Sequence, residues 1–318
     1  MATPNKNLEH TEIAEKALRA FEDLTGPQPG FRPAHAKGIL LSGTFIPAGA
    51  ASTLTRAPHI QRGSTPVTVR FSDFAGIPTI PDNHPEASPR GFAVRFHLAE
   101  HSHTDIIGHS VDGFPARTAE EFVEFLQAIR QSGPGAAHPT PIEKFLGSHP
   151  AALAFVQAPK PMPASFATES YFSRSAYRFI NGSGIRQYGR YRIQPDGANE
   201  YLDSAAAANA SPNFLFDELR RRLGKGPVKM RISVQIAAEG DPVNDSTAVW
   251  PSSRPVLDFG TVEITGVIAD NDAEQRKIIF DPIPRVDGIE ASDDPLLEVR
   301  ATTYLISGRR RRAANVKP

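Results

Sequence analysis

The sequence predicts an α+β fold in which an antiparallel β-barrel is surrounded by helices. Six or more short runs alternate apolar and polar residues, and the helical patterns between them lack the regular strand–helix rhythm of a doubly wound sheet. No GxGxxG, Walker loop or nucleophile elbow interrupts the pattern, so nucleotide-dependent and serine-hydrolase chemistry are set aside.

In chain order, residues 8–24 place Ile13, Ala14, Ala17, Leu18 and Phe21 at helical spacing and stop before Gly26, which predicts an amphipathic helix within residues 1–26. Pro27, Pro29 and Pro33 then make an extended lead-in. Residues 66–71 and 91–96 alternate as strands with 82–89 as the loop between them, the pattern of an antiparallel pair. Thr118-Ala119-Glu120-Glu121 is a capping box. It opens a helix carrying Phe122, Phe125, Leu126 and Ile129, which Gly133-Pro134-Gly135 ends, and Thr140-Pro141-Ile142-Glu143 is a second box. Residues 176–180 and 187–193 flank Asn181-Gly182-Ser183-Gly184, a hairpin signal. Ser211-Pro212 is expected to cap a helix running to Leu223, and residues 229–236 and 257–267 are further alternating strands. The expectation is a single domain over 1–318, closing in a basic tail at 309–318.

Composition narrows the function. Acidic and basic residues balance at 35 each, so no net field draws the chain to nucleic acid or an anionic membrane, and a small-molecule partner is expected. The absence of cysteine excludes disulfides, thiolate zinc sites, iron–sulfur clusters and a thiol nucleophile, leaving oxygen or nitrogen to hold any metal. The first residues lack a signal-peptide apolar stretch and no run is long enough for a membrane span, so the expected location is cytoplasmic.

Four segments concentrate chemistry. Arg32-Pro33-Ala34-His35-Ala36-Lys37-Gly38 puts a histidine on an extended segment; a lone histidine is more often a packed or surface group than a catalyst. The strand through Arg70-Phe71-Ser72 ends in a basic, an aromatic and a hydroxyl residue, and Pro89-Arg90-Gly91-Phe92-Ala93-Val94-Arg95-Phe96 follows. Arg300-Ala301-Thr302-Thr303-Tyr304, if helical, puts Arg300 on the same face as Tyr304, where a fixed cation lowers a phenol's pKa towards that of a useful metal ligand. Taken alone, the two read as an ordinary surface pair with Tyr304 packed in the core, and β-branched Thr302 and Thr303 disfavour a helix there.

Together these segments resemble the haem catalases, in chain order as well as in local sequence. His35-Ala36-Lys37-Gly38 is similar to the family's distal histidine motif. The segment ending at Ser72 is similar to the one supplying that histidine's hydrogen-bond partner, and the stretch 89–96 to its core strand. Asp105-Ile106-Ile107-Gly108 precedes the distal-pocket position. Phe280-Asp281-Pro282, Gly288-Ile289-Glu290-Ala291-Ser292 and Arg300 to Tyr304 resemble the run ending in the proximal tyrosine. The resemblance spans about residues 30 to 312 and implies a barrel core of the catalase type binding haem b, with Tyr304 as the iron ligand. It implies His35 as general acid–base, Ser72 as its partner and Arg300 beside Tyr304, with Arg32, Arg70 and Arg311 as haem-propionate and proximal arginines. Arg309, Arg310 and Arg312 are expected to be merely solvated, and Phe122 matches the ring that stacks near the haem, though an ordinary core phenylalanine fits it equally well.

Two departures refine that expectation. The long N-terminal arm and C-terminal helical domain of full catalases are missing, as in the shortened catalase-related peroxidases, so no NADPH is expected. Full catalases assemble through those arms, and a homodimer is expected here. Where they carry a distal asparagine this chain has His109, which implies weak disproportionation with peroxidase activity retained. The implied reaction is reduction of hydrogen peroxide or an organic hydroperoxide by a small-molecule electron donor. The competing readings are a hydroperoxide isomerase similar to allene oxide synthase and a non-catalytic haem carrier or sensor. His97, His101 and His103 suggest a metal site but are explained more simply by a hairpin loop.

Overall fold

The computed structural model describes residues 6–314. Its elements are α1 (Lys6–Thr25), β1 (Gly38–Pro47), α2 (Ala51–Leu54), β2 (Thr65–Ser72), β3 (Gly91–Ala99) and β4 (Ser102–His109). Then follow α3 (Ala119–Gln131), α4 (Pro141–Ser148), α5 (Pro150–Gln157), β5 (Tyr171–Phe172), β6 (Tyr177–Ile180), β7 (Arg186–Pro195), α6 (Ser204–Ala208) and α7 (Phe214–Leu223). The chain ends with β8 (Val228–Ile236), β9 (Val256–Val267), α8 (Asn271–Lys277), β10 (Ile289–Ala291) and α9 (Leu296–Ala313).

All pairings are antiparallel, and the order β7-β5-β4-β3-β2-β1-β9-β8 closes because β8 pairs with both β9 and β7. Alternate residues of these strands fill the interior: Val67, Val69 and Phe71 of β2, Phe92, Val94 and Phe96 of β3, and Met230, Ile232 and Val234 of β8 are all buried. At about 1.5–3 kcal/mol for each large apolar side chain, this packing dominates the gross stabilisation of the barrel. Outside it, α1, α3, α4 and α5 bury Ala17, Ala20, Val123, Leu126, Phe145 and Ala152 against one another.

Both helix starts lie where the sequence places them, but only the second is a full box: Thr118 accepts from the Glu121 N–H while the Glu121 carboxylate takes the Arg117 N–H instead, and Thr140 and Glu143 satisfy each other's backbone. The 211–223 helix differs from expectation. It starts at Phe214, and its first turn is capped across the chain, the Leu215 N–H donating to Asp82 Oδ2 at 2.8 Å. The basic tail is also revised, because α9 runs through Arg309–Arg312. Arg310 pairs with Glu15 and Glu22 of α1, and Arg312 donates to the Lys277 carbonyl, so neither is merely solvated; Arg309 is exposed. His97 and His103 face each other across the β3–β4 hairpin with His101 in its turn, and among the described residues no cluster of metal-ligating side chains forms.

Candidate active site

One row of residues runs in register across five strands: Gly38, Ser72, Gly91, His109 and Phe172. Neighbours in such a row project to the same face of the sheet, so sequence positions 134 apart are held within a few strand spacings of about 4.8 Å. Above this row sits His35. Its segment is not extended as expected: φ is +58°, a conformation that a non-glycine residue adopts only when its surroundings impose it. The His35 N–H donates to the Phe74 carbonyl at 2.6 Å, the Ala36 N–H donates to the Ala75 carbonyl at 3.0 Å, and Arg70 donates to the His35 carbonyl at 2.8 Å. The ring stands edge-on to Phe74, with Nδ1 3.0 Å from Ser72 Oγ. Gly91 leaves the space this requires, since a Cβ there would lie 2.5 Å from Ser72 Oγ and 2.6 Å from His35 Nδ1. Burial, then Arg70, Arg174 and Arg32, push His35 down to about 3, so it is an uncharged base at neutral pH.

His109 is buried beside this group. The Val111 N–H donates to its Nδ1 at 3.2 Å, which places the ring proton on Nε2, and Nε2 has no partner. Burial and then Arg174, His35 and Arg300 hold its pKa well below the usual histidine range. His109 is therefore a neutral ring with one free N–H donor.

Two further groups flank the recess. Arg32 and Arg311 both donate to the Ile278 carbonyl, at 3.1 and 2.9 Å, and Arg70 donates to Gln275 Oε1 at 3.0 Å. None of these three arginines has an ion-pair partner among the described residues. Burial, then Arg311, lowers Arg70 to about 9, while Arg311 falls to about 10 and Arg32 well below the usual range. Three crowded cations without a carboxylate form a ready site for an anionic group.

The other group lies on α9, which does form over Thr302 and Thr303; their hydroxyls donate to carbonyls one turn back. The Arg300 guanidinium is 5.8 Å from the Tyr304 ring centre and donates to Ser175 Oγ at 3.3 Å. Burial alone would raise the Tyr304 phenol, but Arg300, Arg174 and Arg32 outweigh it and lower the pKa. Arg174 carries no sequence signal of its own; its guanidinium lies 4.1 Å over Phe114 and its charge acts on Tyr304, His35 and His109 alike, so one buried cation lies within electrostatic reach of all three. Phe122 packs on Phe114 at 5.0 Å and Phe21 at 5.6 Å, at the edge of this recess.

A model of the catalase family matches residues 28–318. The chain belongs to the catalase family. Among curated members it is 37% identical to a catalase-related peroxidase of Mycolicibacterium paratuberculosis, over 92% of this chain and 93% of that one. It is 31% identical to a catalase-related peroxidase of Synechococcus elongatus, covering 92% and 87%. Solved catalases share the fold: a fungal catalase superposes with a TM-score of 0.79 at 22% identity, covering 94% of this chain and 63% of that one, and a bacterial catalase with 0.78 at 24%. The chain thus spans about three fifths of the length of these two solved catalases.

Proposed function

We propose that this catalase-family member is a haem-dependent peroxidase that reduces hydrogen peroxide or organic hydroperoxides with a small-molecule electron donor. The carrying observation is that an uncharged His35, held by Ser72, and a cation-flanked Tyr304 are buried within reach of the same two charges, Arg174 and Arg32. The residues fit haem: Tyr304 offers an anionic oxygen ligand, Arg300 stands beside it, and Arg32, Arg70 and Arg311 form an unpaired cationic edge suited to propionates. With no cysteine for thioether links, the group would be held non-covalently, as haem b is. When bound, it supplies the iron on which the peroxide O–O bond is cleaved and the electrons of the donor are delivered.

The protein residues manage protons and orientation. With Nδ1–H donating to Ser72 Oγ, His35 Nε2 keeps a lone pair, takes the proton from the attacking oxygen of the hydroperoxide and returns it to the leaving oxygen. The His109 Nε2–H donates to a peroxide oxygen and orients it. Disproportionation requires a second peroxide to be held as both donor and acceptor. A lone N–H supplies only half of that, which favours an outside reductant over oxygen release. Phe122 and Phe114 wall the apolar edge.

A non-catalytic carrier would need Tyr304 but neither His35 nor Ser72. The test is an absorption spectrum of protein made with haem supplied, followed by peroxide with and without a phenolic donor while oxygen is monitored. A high-spin ferric tyrosinate spectrum with donor oxidation and little oxygen is expected. No haem uptake would overturn the reading.

A further inference from the structure

Beside the distal row lies a cavity of about 280 Å³ lined by Arg90, Ser110, Lys160, Glu169, Phe172 and Tyr201, among others. It touches the distal site at two points: Ser110 follows His109 in sequence, and Phe172 is its cross-strand partner. A third link is aromatic. The Lys160 ammonium lies 5.3 Å from the Phe155 ring centre, and that ring stands edge-on to His109 at 6.2 Å.

The lining is chemically unfinished. Lys160 spends its three N–H donors on the carbonyls of Phe155, Val156 and Ala158, and its positive charge has no carboxylate beside it among the described residues, so a ligand carboxylate would displace one of those carbonyls. Glu169 accepts the Ser170 N–H at 2.8 Å and the Tyr201 hydroxyl at 3.2 Å on Oε1, and no ion pair forms on it among the described residues, though the charge of Arg90 reaches it. Arg90 is 1% exposed and bound to Asp73, yet its Nε has no hydrogen-bond partner. One unpaired cation and one unpaired acid therefore share a cavity with an aromatic wall. Its volume is at the small end of the roughly 300–1,000 Å³ of ligand sites, which limits the occupant to a single ring.

We propose that this cavity binds the electron donor, a one-ring phenol bearing a carboxylate, with the carboxylate at Lys160 and the hydroxyl at Glu169. The assignment rests on the peroxidase reading above. Each turnover converts one hydroperoxide ROOH and two phenols ArOH into ROH, water and two phenoxyl radicals. The O–O bond breaks, each phenol gives up one electron and one proton, and both pairs end on the former peroxide oxygens. Burial raises the Glu169 carboxyl above its ordinary range, which suits a group that accepts a phenolic proton.

The test uses haem-loaded protein, with binding read by calorimetry and oxidation by absorbance, for 4-hydroxybenzoate and for uncharged phenol. The wild type is expected to prefer 4-hydroxybenzoate by about tenfold in both Kd and KM, the scale of one charge-assisted contact. Lys160→Gln should abolish that preference, and Glu169→Gln, on a different segment, should weaken both phenols several-fold while keeping it. Persistence of the preference in Lys160→Gln, with both phenols oxidised, would overturn the site alone. Binding with neither phenol oxidised would overturn the peroxidase reading and the donor role together.

Discussion

The two faces of the recess are built by different means. On the distal side, Ser72, Gly91 and His109 hold their places through strand register, and the partners are backbone and neighbouring strands that have little room to shift. On the proximal side, Arg300 and Tyr304 meet by helical spacing on α9, and charge sets the chemistry more than close packing. A site made of register is intolerant of added atoms, whereas a site made of charge is intolerant of lost groups.

Removing a group tests the second half of that contrast. Tyr304→Phe keeps the ring and deletes the oxygen proposed to bind iron, so donor oxidation should fall by about a thousandfold or more and the ferric tyrosinate spectrum should vanish, while far-UV circular dichroism stays unchanged. Adding one atom tests the first. Gly91→Ala drives a methyl into His35 and Ser72 and should lower the peroxide rate by about 100-fold with haem uptake retained. The same change on α9, Gly308→Ala, meets Ile279 Cδ1 and Cγ1 at 2.2 and 2.3 Å, away from the reacting groups, and should cost about 1–3 kcal/mol of stability, seen by urea denaturation, with the peroxide rate of the folded protein kept. An equal fall in peroxide rate from the two alanines would refute the contrast.

His109→Asn restores both a donor and an acceptor next to His35. Oxygen release relative to donor oxidation should rise several-fold, measured with an oxygen electrode. The smallest effect concerns stability. His59 is 1% exposed among Phe45, Phe96 and Phe259, neither ring nitrogen has a partner, and burial, then Arg62, pushes it down to about 3. Between its ordinary 6.5 and that value the unfolded chain binds a proton that the folded chain refuses, so stability is lost as pH falls, by at most about 1.4 kcal/mol per unit. His59→Leu should remove this acid loss, leaving a flatter curve of urea midpoint against pH between 6.5 and 4.

What the sequence revealed follows the same division. β2, β3, β8 and β9 were legible because each has one clear apolar alternation. β1 was not, because Gly-Ile-Leu-Leu reads as a continuous apolar run, and α8, Asn-Asp-Ala-Glu-Gln-Arg-Lys, has no buried face to give it a period. The His35–Ser72 contact is one the resemblance names, and the Arg300–Tyr304 proximity follows from helical spacing, while the roles given to these residues rest on the proposal above. Arg174 and Gln275 were not legible, since only the closed barrel brings them to the recess. The cap of α7 leaves no local signal, because the carboxylate that supplies it, Asp82, lies 133 residues away. Reading Arg309–Arg312 as a tail ignored α1, whose Glu15 and Glu22 give Arg310 its partners.

The cluster of Arg32, Arg70 and Arg311 bears on how the protein matures. Three like charges buried together raise the free energy of the fold, and on the haem reading proposed above an anionic cofactor edge that neutralised them would make loading itself a stabilising event. Unloaded chains would then open more often and be cleared first by proteases, so that survival in the cell reports on whether the cofactor has been acquired.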